Sequence, residues 1–154
     1  MIKIGKVTAV DEKKCVARVM FEESNLISAW LPMVVRGTLT NKDYWMPKID
    51  EHVVVAYTDQ KFGVIMGAIY SKKDEPPVKY EFKRHMLFED GTSFEYDFKN
   101  NLLNIETVGE IHIKCNSKII VQGDVIADGI SLKYHIHPES IGSVTDKPSG
   151  NVGG

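Results

Sequence analysis

The sequence IHIKCNSKIIVQGDVIAD, residues 111–128, alternates between apolar and polar side chains for far longer than an ordinary strand. In an extended chain every second residue points to the same side. The alternation lasts about 17 residues, whereas strands usually have about 5 to 6, and at about 3.3 Å per residue it would stretch about 55 Å. This length predicts an elongated β-structure. Its odd positions read Ile111, Ile113, Cys115, Ser117, Ile119, Val121, Gly123, Val125 and Ala127.

A weak internal repeat strengthens the prediction of an elongated β-structure. Residues 90–97, DGTSFEYD, return at 128–135 as DGISLKYH, sharing Asp, Gly, Ser and Tyr. Short strands separated by Asp-Gly corners are typical of β-solenoids and β-prisms, whose layers bury their apolar edges by stacking. About 50 residues of one chain have too few apolar groups to enclose such a rod, so we expect three identical chains to wind together. The alternative is an ordinary three-stranded meander packed back on the N-terminal domain.

The first 70 residues read as a small all-β domain. Short runs rich in Val and Ile are separated by polar or turn segments, which is typical of a small β-domain. Five strands in a domain of this size favour an OB-type barrel, which closes most of its sheet edges. The predicted strands cover residues 4–10, 15–21, 26–34, 52–58 and 63–70, with hairpin turns at 11–14 and 59–61.

A charged, proline-containing segment follows the barrel. SKKDEPPVK, residues 71–79, carries five charges and Pro76-Pro77, so it lacks apolar groups to bury and cannot join a sheet ladder. The predicted division of the chain is a barrel at 1–70, a linker at 71–84, a triple-stranded β-helix at 85–134 and an apex at 135–154.

The pair His135 and His137 is the candidate metal site. Two residues apart in an extended strand, both imidazoles point to the same side; the alternative is two exposed histidines before a flexible tail. Two ligands do not complete a transition-metal site, and Glu139 and Asp146 are the nearby carboxylates. If three chains met on a three-fold axis, six imidazoles would surround one structural ion, which fits iron better than zinc, although nickel or cobalt would also fit. Clamped there, the Gly-, Pro- and Ser-rich tail at 138–154 could order into a cap.

Composition narrows the function. With 19 Lys+Arg against 21 Asp+Glu, the chain lacks the basic excess typical of nucleic-acid binders. No apolar stretch reaches membrane-spanning length, and the start has no signal-peptide pattern, which predicts a cytosol-like compartment. Cys15 and Cys115 form no CxxC pair, and we interpret both as buried small hydrophobic residues.

Taken together, the sequence resembles the baseplate assembly protein V, or central spike, family of contractile-tail phages, contractile bacteriocins and related injection systems. Asp50 departs from the glycine usual in that family before Glu51, and the rod is short. The resembling residues are GKV at 5–7, SAWLP at 28–32, WMP at 45–47, GVIMGAIY at 63–70, DGT at 90–92, GDVIADGISL at 123–132 and HIH at 135–137.

The resemblance implies a trimer of OB barrels on an intertwined β-helix, with an apex where His135 and His137 of three chains bind one iron ion. The implied function is structural: to cap the tail tube, organise the baseplate hub through the barrel and pierce the target envelope. It implies no enzymatic activity, no nucleic acid and no small-molecule substrate. It also implies assembly in the bacterial cytoplasm and a final place in a virion baseplate or an extracellular tail-like particle.

Two other functions remain open at the level of sequence. A cupin-like metal enzyme would share the spacing from Gly129 to His135 and His137, but the chain has Ile141 and Gly142 where a cupin needs Glu. An OB-fold nucleic-acid binder could use aromatic residues as stacking platforms, with nearby lysines. The aromatic residues available for that role are Trp30, Tyr44, Trp45 and Phe62.

Overall fold

The computed structural model describes residues 1–58 and 62–137, which form eleven strands and no helix. The predicted all-β class is therefore confirmed. The predicted turn at 59–61 and the tail at 138–154, with Glu139 and Asp146, lie outside the described residues. The strands are β1 Ile2–Asp11, β2 Val16–Phe21, β3 Leu26–Ile27, β4 Leu31–Pro32, β5 His52–Tyr57, β6 Gly63–Ala68, β7 Lys83–Leu87, β8 Ser93–Asp97, β9 Leu102–Glu106, β10 Ile126–Ala127 and β11 Ile130–Ser131.

The N-terminal strands form one antiparallel sheet in the order β3-β2-β1-β5-β6, with β4 also paired to β2. Just beyond β4, Met33 forms a parallel bridge to Ile65 of β6, and the Val34 N–H donates to the Ile65 carbonyl at 2.9 Å. The sheet thus curls so that its two ends meet, as a barrel requires.

The core of this barrel comes from alternate positions of four strands. Val7, Val19, Val53, Val55 and Ile65 are all fully buried. Because successive residues in a strand point to opposite faces, their neighbours form the outer wall. The pattern of Val and Ile in the sequence therefore sets both the strands and their inward faces.

The predicted strand at 26–34 is broken in the structure. It consists of β3 and β4, separated by residues 28–30. The Ser28 hydroxyl accepts a hydrogen bond from the Val19 N–H at 2.9 Å and donates to the Ala29 carbonyl at 2.6 Å. The hydroxyl takes the place of a backbone partner, so the ladder is interrupted there.

Strands β7, β8 and β9 form a separate three-stranded antiparallel meander. It begins at Lys83, within the predicted linker, and occupies the first part of the region predicted as β-helix. Its apolar residues remain exposed and are not packed back on the barrel as the alternative expected. Its first loop meets the barrel's 44–48 segment: the Lys48 ammonium lies 3.0 Å from the Glu89 carboxylate, and the Trp45 and Phe88 ring centroids are 6.1 Å apart.

The chain divides into two compact units, Met1–Glu106 and Thr107–Gly154. In the second unit, β10 and β11 pair as a short hairpin, and the residues from 107 to 125 belong to no strand. Cys115 is exposed in the single chain, so the interpretation of this cysteine as buried is wrong there. The four-part division predicted from sequence stays a prediction. No helix long and apolar enough to cross a membrane occurs in the described part of the chain.

Candidate functional site

The hairpin before the histidine pair has a two-residue Asp-Gly loop. Asp128 and Gly129 adopt φ values of 48° and 83°, as the tight turns of two-residue hairpins require. This turn pairs Ile126 with Ser131 and Ala127 with Ile130. The repeat therefore marks hairpin corners, since Asp90-Gly91 occupies the loop between β7 and β8, where Gly91 has a φ of 92°.

Asp124 fastens the two ends of this hairpin together. Its carboxylate accepts hydrogen bonds from the Ser131 hydroxyl at 2.6 Å, from the Val125 N–H at 2.9 Å and from the Lys133 N–H at 3.1 Å. The Ser131 hydroxyl, more than any other neighbour, lowers the pKa of the Asp124 carboxyl group. The carboxylate consequently keeps its charge and its acceptor capacity at neutral pH.

His135 leaves the hairpin through a turn that also fixes its ring. Its N–H donates to the Ser131 carbonyl at 3.1 Å, and its Nδ1 lies 2.9 Å from the same oxygen and 3.0 Å from the Leu132 carbonyl oxygen. A carbonyl oxygen only accepts hydrogen bonds, so in these contacts the Nδ1 atom carries the proton. The lone pair of the neutral ring then lies on Nε2.

The two imidazoles of the candidate metal site lie side by side. The ring centroids of His135 and His137 are 5.0 Å apart, with their planes at 89°. Within residues 1–58 and 62–137, no group of three or more His, Cys, Asp or Glu side chains is arranged to hold a metal ion. A metal-binding histidine usually donates its second N–H to a carbonyl or carboxylate, and His135 has this arrangement. The pair therefore fits a metal whose other ligands come from further copies.

A second candidate site is the apolar face of the β7–β9 meander. Strand register places Met86, Phe94 and Ile105 in one row across the sheet, and Arg84, Tyr96 and Leu103 in the next. The apolar members of these rows are 44% to 64% exposed. Phe82 and Phe98 extend the same face at one end, with ring centroids 5.7 Å apart. This apolar face is too large and continuous to be a scatter of single exposed residues.

The opposite, polar face of the meander carries an ion-pair cluster that sequence reasoning missed. The Glu95 carboxylate lies 2.6 Å from Lys83 Nζ and 3.0 Å from His85 Nδ1. The Lys83 ammonium is the main cause of the lowered pKa of Glu95, and Glu95 in turn raises the pKa of Lys83. The signal in the sequence was the alternation of polar and aromatic residues at 93–97, SFEYD, which places Glu95 on one face of its strand.

The aromatic residues of the nucleic-acid alternative occur in different settings. The Arg18 guanidinium lies 5.9 Å from the Trp30 ring centroid. Trp45 stacks at a tilt on Phe88, and both line a groove with Tyr44. Phe62 is 54% exposed. The chain has 19 Lys+Arg against 21 Asp+Glu, and this charge balance does not favour the nucleic-acid alternative.

Comparison with known proteins adds one finding for the barrel. Residues 3–70 match the family model described as the type VI secretion system/phage-baseplate injector OB domain. Apart from Ile2, the match covers the six strands of the barrel sheet, and it ends before the predicted linker. No curated protein matches the chain significantly.

Proposed function

From the match of residues 3–70 to the type VI secretion system/phage-baseplate injector OB domain, we propose that the chain is the central spike of a contractile tail or injection machine. Its role is structural. Three copies cap the tail tube, the barrels attach to the baseplate hub, and contraction drives the pointed end into the target envelope. No bond needs to be made or broken for this role.

The observation that carries the proposal is the amphipathic meander that follows an injector-type barrel. Its polar face already has internal partners, because Lys83 and His85 both pair with the Glu95 carboxylate. Its apolar face exposes large side chains to water. Burying this surface would contribute about 25 cal/mol of free energy for each Å² of apolar area. A second and a third copy supply matching apolar faces, and three such sheets close into a prism.

The segment at 111–127 supports the same assembly. Every residue in it is exposed in the single chain, although its odd positions are mostly apolar. Strands from three chains that wind around one another would hydrogen-bond between chains and turn the odd positions inward. Such chains separate only by breaking many ladders together, which provides the kinetic stability that a driven needle needs.

At the apex, His135 and His137 of three chains would hold one iron ion, for which nickel or cobalt are chemical alternatives. The ion supplies a cross-link between the chains at the end of the rod. The chain's own contribution is to present neutral imidazole nitrogen, and the Nδ1 contacts of His135 leave Nε2 for that purpose.

The outer wall of the barrel offers the surface for the hub. Ile2 and Ile4 of β1 and Met66 of β6 point outward and are 74%, 57% and 53% exposed. Exposed apolar patches of this kind mark protein interfaces. We assign hub attachment to this wall because β1, β5 and β6 are adjacent strands of one sheet.

Native mass spectrometry tests the proposal, since one spectrum reports both chain number and bound metal. Three chains of 17.3 kDa should give a species of about 52 kDa plus one metal ion. The His135→Ala/His137→Ala variant should keep the trimer mass and lose the metal. A metal-free monomer, or a dimer, would refute the spike, and metal retained by the double variant would refute the apex site.

A further inference from the structure

Resting on the proposed function, we propose that Asp124 and Ser131 are positioning residues for the apical metal, because they fix the His135 ring in the tautomer that binds it. Neither residue is a ligand in this proposal. They act through the hairpin and the turn that follows it. The proposal is therefore about how the free chain is organised before any ion arrives.

The first step is the solvent exposure of these residues. Between 107 and 137 every residue is exposed except Ser131 and His135, which are half-buried. The hairpin and the turn thus partly cover these two residues, while their neighbours within 107–137 stay open to solvent.

The second step is a set of hydrogen bonds that meet at Ser131. One Asp124 oxygen accepts from the Ser131 hydroxyl, and the other accepts from the Lys133 N–H across the hairpin. The Ser131 hydroxyl oxygen accepts from the Tyr134 N–H at 2.9 Å, which holds the turn closed. The same residue's carbonyl receives both the backbone N–H and the Nδ1–H of His135.

The third step is the consequence for the ring. The other neutral tautomer would place the Nδ1 lone pair against the carbonyl oxygens of Ser131 and Leu132, two acceptors about 3 Å away. With the turn closed, that arrangement is repulsive, so the proton stays on Nδ1 and Nε2 presents its lone pair. A metal then binds without first reorganising the ring, and outer-shell partners of this kind typically contribute 10- to 100-fold in metal affinity.

The experiment combines two measurements on the full-length protein. Long-range 1H–15N correlation spectra of the metal-free protein at a pH where the imidazoles are neutral report the His135 tautomer, assigned with His135→Gln. Competition between the protein and a chelator for Fe(II) reports affinity. Asp124→Ala and Ser131→Ala remove the carboxylate and the hydroxyl, while Ser131→Thr keeps the hydroxyl and serves as the matched control.

We expect the wild type and Ser131→Thr to show the Nδ1–H tautomer. Asp124→Ala and Ser131→Ala should show mixed tautomers and bind iron about 10- to 100-fold more weakly, with the oligomer mass unchanged. A wild-type ring protonated on Nε2, or wild-type affinity in both alanine variants, would overturn the positioning role. A wild type with the expected tautomer that binds no iron would overturn the proposed apical metal site instead, so the two failures are distinguishable.

Discussion

The barrel and the segment from 107 to 137 use similar side chains and reach opposite outcomes. In the barrel, Val53, Val55 and Ile65 are completely buried, because the curled sheet packs its inward side chains against one another in a single core. In the later segment Ile111, Ile113 and their apolar neighbours stay exposed. The difference shows that an alternating pattern determines which side chains share one face of a strand. It does not determine which other part of the chain, or which other chain, covers that face.

The largest effect is expected where the meander would meet other copies. Ile105→Asp places a charge on the apolar face, and burying an unpaired charge costs several kcal/mol in each chain. We expect the species of about 52 kDa, three chains of 17.3 kDa, to be lost in native mass spectrometry. Asn104→Asp, the adjacent residue on the polar face, is the matched control and should leave the trimer intact. Equal masses for the two variants would refute the assignment of the faces.

A core substitution tests whether the stability of the barrel comes from side chains buried within its own chain. Ile65 is fully buried, so Ile65→Ala should lower the free energy of unfolding by about 2–5 kcal/mol through lost burial and the cavity left behind. Urea unfolding followed by tryptophan fluorescence measures it. Ile4→Ala, on the outer wall, should change stability by no more than about 0.5 kcal/mol. A similar loss in both variants would mean that the outer wall is also packed in the isolated protein.

The same contrast between the barrel and the later segment explains which parts of this architecture the sequence could predict. The barrel strands could be predicted because their inward positions alternate and their partners are nearby; only 26–34 was misread, since the Ser28 hydroxyl replaces a backbone partner. The Asp-Gly repeat located two hairpin corners. The support of His135 by Asp124 was not predictable, because the contacts of Asp124 with Ser131 and Lys133 depend on how a hairpin closes and leave no periodic signal.

Removing the contact between Trp45 of the barrel and Phe88 of the meander should have a smaller, local effect on stability. The chain has two tryptophans, so a Trp30→Phe background leaves Trp45 as the reporter of its contact with Phe88. Phe88→Ala should expose Trp45, shift its emission to longer wavelength and increase quenching by acrylamide. An aromatic pair contributes about 0.5–1.5 kcal/mol, which sets the expected loss of stability. Phe98→Ala, at the other end of the meander, should leave the emission unchanged; an equal shift would show that Trp45 senses general loosening.

The smallest effect concerns the ion pairs on the polar face of the meander. Lys83 and His85 hold the pKa of Glu95 below its ordinary value of 4.5, so the folded state binds this proton less readily than the unfolded state. The stabilisation is therefore present above pH 4.5 and is lost as the pH falls through the lower, folded-state pKa. Glu95→Gln should flatten the pH dependence of stability in that acidic range, measured as unfolding midpoints between pH 3 and pH 6. Glu106→Gln, on the same face and without a lysine partner among the described ion pairs, should retain the wild-type slope. If Glu95→Gln also retained the wild-type slope, the ion pairs of Glu95 would contribute nothing measurable to stability. The stability of the meander would then depend on its apolar face alone.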